Sequence, residues 1–154
     1  RLVAALGESI PCREEGLTHL FPELADVARS DPSRLGLPRA RASCLVMLAR
    51  AVEAGSLDLD HATSLDHAVG RLMALPGIGP WTAHYIAMRA LGEPDAFPAG
   101  DLVLKRETGL SEARLLKRAQ PWRPWRAYAT LYLWRRHADT PAHATHARRG
   151  GRPR

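Results

Sequence analysis

The run Leu72-Met73-Ala74-Leu75-Pro76-Gly77-Ile78-Gly79-Pro80-Trp81-Thr82-Ala83 limits the fold of this chain more than any other stretch. Pro76 ends a helical pattern, because proline cannot extend the hydrogen-bond ladder and turns Leu75 away from helical angles. Gly77 and Gly79 permit positive φ and the close approach of another backbone. A second helical pattern begins directly after them, so the spacing predicts two helices joined by a tight turn. The amides around Gly77, Gly79 and Trp81 then lie at the start of the second helix, where unpaired N–H groups and a partial positive charge suit an anion such as a DNA phosphate. Asp101 follows a short way on. A lone carboxylate just beyond a phosphate anchor suggests chemistry at a sugar or base, since binding alone would avoid a negative charge beside DNA.

The remaining pattern is helical throughout. Leu2, Val3, Leu6 and Ile10 keep helical spacing up to Pro11, and Pro22 suits the first position of a short helix reaching about Ala28. Ser30-Asp31-Pro32-Ser33 reads as a turn that restarts a helical turn. From Arg39 to about Ala54, Ala42, Leu45, Val46, Leu48, Ala49 and Val52 form an apolar stripe that Gly55 ends. Asp58-Leu59-Asp60 reads as a loop, and Thr63 or Ser64 caps a helix to about Ala74. The second hairpin helix runs to about Leu91, and Asp95 to Gly100 is an irregular linker. Helices follow near Leu102–Thr108, Ser111–Ala119 and Trp122–Ala138. No run of β-branched residues alternates with period two, so the expected fold is all-α. A helical core over 1–138, with the hairpin at 64–91, would precede a basic tail, Asp139 to Arg154, expected to be disordered.

The chain has 154 residues, enough for one ordinary domain, and its formal charge is +6. Lys105 and Lys117 are its two lysines, so the basic balance is nearly all arginine, which favours bidentate phosphate contacts. Such a balance suits nucleic acid or another anionic surface. No apolar run reaches the roughly 20 residues of a membrane span. Two cysteines, Cys12 and Cys44, exclude a four-cysteine iron–sulfur cluster and read as buried thiols of a reducing cytosol.

Three blocks in order, Leu75 to Tyr85, Asp95-Ala96-Phe97-Pro98-Ala99-Gly100-Asp101 and Trp122-Arg123-Pro124-Trp125-Arg126-Ala127-Tyr128, closely resemble the helix-hairpin-helix DNA glycosylases. The branch they are most similar to excises alkylated bases, as DNA-3-methyladenine glycosylase II does. The resemblance runs from about Arg1 to His137. It implies a multi-helix glycosylase core in which the hairpin, here Gly77, Ile78, Gly79 and Thr82, grips the DNA backbone, and it makes Asp101 the catalytic residue. In that family a small β-rich region and a wedge helix come earlier, so the chain is expected to be a fragment lacking them. The family's Asp-Asp pair is replaced by Gly100-Asp101, which leaves one plausible carboxylate.

Asp101 makes sense on chemical grounds as well. Breaking an N-glycosidic bond builds positive charge on the sugar, which a carboxylate stabilises, and the same group can orient or deprotonate the capturing water. Asp101 is also a good N-cap for the helix that follows, and the two roles are compatible. An alkylated purine is cationic and leaves readily, so the site needs aromatic faces for a flipped base more than a strong acid. Trp81 and Tyr85 lie four apart on one helical face, and Trp134 matches a pocket tryptophan of the family. Trp122, Trp125 and Tyr128 read as packing residues, and His84 is expected to face solvent or DNA. Bifunctional relatives carry a Schiff-base lysine where this chain has Trp81, so the enzyme is expected to be monofunctional and to leave an abasic site.

No cofactor is expected. The resemblance allows a Na⁺ or K⁺ at the main-chain carbonyls of Met73, Leu75 and Gly77, and no spacing suits a catalytic zinc. The expected partner is duplex DNA containing alkylated bases, bound by a monomer in a bacterial-type, nucleoid-associated cytoplasm. The rival readings are a non-catalytic helix-hairpin-helix DNA-binding module of a larger repair protein and a glycosylase–lyase, oxidised-base or mismatch glycosylase.

Overall fold

The structure, a computed structural model, describes residues 1–11, 16–58 and 64–140. Cys12, Thr63, Leu59 and Asp60 of the predicted loop, and the tail beyond Thr140 lie outside the described residues. The chain divides into two compact units, Arg1–Gly79 and Pro80–Arg154. Helices dominate both. Among the described residues no strand forms, and one isolated antiparallel bridge joins Ser9 and His19.

The first unit contains α1 (Leu2–Leu6), α2 (Leu24–Arg29), a 3-10 turn at Pro32–Leu35, α3 (Arg39–Glu53) and α4 (Leu65–Met73). The apolar stripe of α3 is buried where expected. Ala42 and Val46 pack with Leu35, and Ala49 packs with Val27 and Ala28 of α2. Arg50 of α3 reaches back to donate Nε–H to the Ala28 carbonyl at 2.7 Å, which satisfies an acceptor near the end of α2. Ser64 caps α4 by accepting the His67 N–H at 3.2 Å.

One prediction for this unit fails. Leu2, Val3, Leu6 and Ile10 do not share a helix to Pro11, because α1 stops at Leu6 and Gly7 is extended (φ −75°, ψ 145°). The chain pairs instead with a later segment. Leu20 donates to the Glu8 carbonyl at 2.8 Å, and Ile10 donates to the Thr18 carbonyl at 3.0 Å. A Cβ at position 7 would lie 2.3 Å from the Leu20 carbonyl oxygen, so glycine is needed for this close approach.

The second unit contains α5 (Pro80–Arg89), α6 (Leu102–Thr108), α7 (Glu112–Arg118), a 3-10 turn at Gln120–Trp122 and α8 (Arg126–Asp139). Its core joins Phe97, Ala99, Leu104, Leu115, Ala119 and Leu133, with Leu110, Trp122 and Trp134 packed against it. Full burial of a side chain such as Phe97 contributes about 1.5–3 kcal/mol. Helix α8 begins at Arg126 and not at Trp122. Arg123 precedes Pro124 and is held extended (φ −65°, ψ 142°), which stops a helix from running through it. Trp122 does pack, edge-on to Phe97 with ring centroids 6.0 Å apart. Trp125 and Tyr128 correct the prediction, since they are 57% and 61% exposed, with their rings edge-on and centroids 5.7 Å apart. Among the described residues no helix is long and apolar enough to cross a membrane.

Candidate active site

The glycine turn closes the first unit. Leu75 donates to the Leu72 carbonyl and Ile78 to the Leu75 carbonyl, both at 3.1 Å, which winds residues 72–78 tightly. Gly77 has φ +92°, the left-handed region that favours glycine, and a Cβ there would meet Cys44 Cβ at 3.2 Å and Sγ at 3.3 Å. The close neighbour is thus a side chain, where the sequence suggested a backbone. Gly79 differs from the prediction too: its φ is not positive, and a Cβ there would meet nothing within 4 Å. The turn is therefore open at Gly79 and filled behind Gly77. Ile78 is buried and its N–H is spent inside the turn, while Thr82 is half-buried on α5.

The second unit brings Asp101, Trp81, Tyr85 and Trp134 together. Asp101 is the N-cap of α6, and its Oδ1 accepts the Val103 N–H at 2.8 Å and the Leu104 N–H at 3.0 Å. The same oxygen accepts the Trp134 indole N–H from α8 at 3.1 Å. Oδ2 accepts the Trp81 indole N–H from α5 at 2.8 Å. Trp81 stacks on Tyr85, with centroids 5.2 Å apart and planes 19° apart, as their four-residue spacing allows. Tyr85 in turn meets Trp134 at 6.0 Å in a tilted arrangement. Two indoles thus hold one carboxylate, and Tyr85 packs against both of their rings.

Electrostatics keep that carboxylate charged. Asp101 is only 8% exposed, and burial alone would raise its pKa. The Leu104 N–H, the Trp81 and Trp134 indoles and the Val103 N–H outweigh burial, so the carboxyl sits below its ordinary value. A carboxylate held this way is anionic at neutral pH and a poor proton acceptor. Trp81 and Tyr85 remain 42% and 37% exposed, so part of each ring is open to solvent beyond their mutual stack.

The linker before Asp101 is braced by residues that sequence reasoning did not single out. Asp95 accepts Arg126 Nε–H at 2.6 Å and Nη2–H at 2.8 Å, and also Arg123 Nε–H at 2.8 Å. Burial pushes the Asp95 carboxyl up, but these guanidinium contacts prevail and lower its pKa. The buried Arg126 guanidinium also lies 5.9 Å from the Phe97 ring centre, and Ala127 donates to the Pro94 carbonyl at 2.9 Å. The start of the linker is therefore fastened to α8. His84 likewise departs from the prediction: half-buried, it accepts the Phe97 N–H on Nδ1 at 3.2 Å and so pins the linker to α5.

Comparison with known proteins gives the following. A probable bifunctional transcriptional activator/DNA repair enzyme AlkA of Mycobacterium tuberculosis is 47% identical over 139 residues, which cover 87% of this chain and 28% of that protein. DNA-3-methyladenine glycosylase 2 of Escherichia coli is 37% identical over 118 residues, covering 74% of this chain and 42% of that enzyme. A 3-methyladenine DNA-glycosylase structure from Archaeoglobus fulgidus superposes with a TM-score of 0.73 at 23% identity, over 90% of this chain and 50% of that one. At that identity the likeness shows the shared all-α fold. The chain spans half or less of the length of each of these relatives. No protein-family model matches it.

Proposed function

Since the chain belongs to the helix-hairpin-helix DNA glycosylase superfamily, we propose that it hydrolyses the N-glycosidic bond of alkylated bases, of the 3-methyladenine kind, in duplex DNA. The observation that carries this reading is the Asp101 carboxylate held by the Trp81 and Trp134 indole N–H groups, with Tyr85 stacked on Trp81.

In the proposed mechanism an alkylated base, flipped from the stack, lies against the exposed parts of these aromatic rings, where its positive charge is attracted to the ring quadrupoles. Asp101 faces the deoxyribose. As the bond to the base lengthens, positive charge grows on the sugar, and the carboxylate opposes it. Opposite unit charges about 4 Å apart at an effective dielectric near 20 attract by about 4 kcal/mol, worth about a thousandfold in rate. The low pKa of Asp101 favours this electrostatic role over proton abstraction, and the carboxylate then orients the water that captures the sugar. Trp81 supplies no amine, so no Schiff base forms at that position and an abasic site is left.

The turn at Gly77 and Gly79, with Thr82 beyond it, would take DNA phosphates through main-chain N–H groups, with the arginine-rich surface adding sequence-independent attraction. Because the Ile78 N–H is bonded to the Leu75 carbonyl, Ile78 serves that grip by filling the turn with its buried side chain. A Na⁺ or K⁺ at the main-chain oxygens of Met73, Leu75 and Gly77, as the resemblance suggests, would stiffen the turn, and the Leu75 carbonyl keeps a second lone pair beyond its bond to Ile78. The working form is proposed to be a monomer acting on cytoplasmic DNA.

The test is release of methylated bases from alkylated duplex. Wild-type protein should release 3-methyladenine, and Asp101→Asn should retain affinity for duplex while losing most release. Full release by that variant would refute the mechanism, and duplex binding without release by the wild type would leave a non-catalytic DNA-binding module. Borohydride trapping should yield no covalent adduct; an adduct would return the reading to a glycosylase–lyase.

A further inference from the structure

The hydrogen bonds on Asp101 are divided unequally between its two oxygens. Oδ1 receives three donors: the Val103 and Leu104 amides and the Trp134 indole. A carboxylate oxygen has about two lone-pair sites, so Oδ1 is saturated. Among the described residues Oδ2 receives one donor, the Trp81 indole. Oδ2 is therefore the oxygen with acceptor capacity left for a sugar cation or a water. The donor it does have comes from a ring that is 42% exposed and stacked on Tyr85.

We propose that Trp81 is a positioning residue for Asp101: its indole N–H, rather than its ring face alone, fixes the reactive oxygen Oδ2, and the same bond holds the ring in place as the wall of the base site. This rests on the glycosylase reading and deepens it. The two indoles have different duties. Trp134 adds a third bond to an oxygen that two amides already hold, whereas among the described residues Trp81 is the donor on the other. The N–H of Trp81 also opposes the effect of burial on the carboxyl. Titratable and charged side chains on the surrounding elements include Tyr85 and His84 on α5, Lys105, Arg106 and Glu107 on α6, Glu112 of α7 next to Gly100, and Arg126, Arg136 and His137 on α8. Among them, Arg136 and His137 are tied to Glu107, and His84 is tied to Phe97.

The experiment compares Trp81→Phe, which keeps an aromatic face and removes the donor, with Trp134→Phe. Single-turnover release, affinity for duplex and the pH profile are measured for each. In Trp81→Phe the release rate should fall about tenfold with duplex affinity retained, and the acid limb should move up by about one pH unit. Trp134→Phe can also slow release, but its acid limb should move less than that of Trp81→Phe, because Oδ1 keeps its two amides. Replacing Trp81 by benzothienylalanine, which has nearly the same ring shape without the N–H, should reproduce the Trp81→Phe profile and guards against misfolding of that variant. An unmoved rate and acid limb in both Trp81 variants, or a loss confined to binding of damaged duplex, would overturn the proposal. Should the wild type release no base, the glycosylase reading fails. The carbon-13 titration of the Asp101 carboxyl in Trp81→Phe still tests the bond, and an unmoved midpoint there would refute it.

Discussion

At the scale of single residues, the arrangement around Asp101 determines what each substitution removes. An asparagine at 101 carries one oxygen and one NH₂ group. With its oxygen on the Val103 and Leu104 amides, its NH₂ faces the Trp81 N–H, donor against donor. Asp101→Asn therefore loses the charge and loosens Trp81 while keeping the cap. Release should fall by about a thousandfold, with a change in tryptophan fluorescence and little loss of thermal stability. Asp101→Ala also removes the cap of α6 and should cost about a further 1–2 kcal/mol, read from denaturant unfolding. The depressed pKa of Asp101 gives a pH prediction. Its folded pKa lies below the ordinary 3.8, so the carboxylate stays ionised as pH falls through the usual carboxylate range, and release should persist through that range and fail only below it. A rate that halves near pH 6 would mean that a different group limits the reaction.

At the scale of elements, the two turn glycines do different work and should be separable. Gly77→Ala places a Cβ against Cys44 in a left-handed conformation and should cost about 1–3 kcal/mol of stability. Gly79→Ala meets open space at an ordinary φ, so stability should hold, while duplex affinity should fall if a phosphate approaches there. The linker behaves like a strut between α5 and α8. Asp95→Ala leaves the buried Arg126 unpaired and should cost about 3–5 kcal/mol. The pH dependence has a definite sign: because the folded pKa of Asp95 is lowered, its stabilisation is complete above the unfolded carboxylate pKa and is lost as pH falls through the folded one. Thermal unfolding of wild type and Asp95→Asn should therefore converge only in acid. Local signals made α6 readable from the sequence, since Asp101 starts it and Gly109, at φ +65°, ends it. They also placed Trp81 and Tyr85 on one face. Helical periodicity gives a face but not an atom, so the direction of the two indole N–H groups could not be read. The Asp95–Arg126 pair spans 31 residues and leaves no local mark. The early end of α1 was hidden for the same reason, because the Leu20 backbone that pairs beside Gly7 lies far along the chain while the apolar spacing of Leu2, Val3, Leu6 and Ile10 is genuinely helical.

At the scale of the whole molecule, charge and chemistry are carried by different features and should respond differently to salt. The net charge of +6 is spread mainly over arginines, and surface charges are screened within about 8–10 Å at ordinary ionic strength. The Asp101 carboxylate is buried and held by four short hydrogen bonds inside one unit, where salt has little access. Duplex affinity should therefore fall steeply with salt, by about a hundredfold between about 50 and 200 mM if about four phosphates are neutralised. The single-turnover release rate of saturated complex should change little over the same range. Measuring both on one alkylated duplex separates the two. A release rate that falls in step with affinity would mean that the cation-stabilising charge is solvent-exposed and supplied by mobile surface groups, and the assignment of that role to Asp101 would fail.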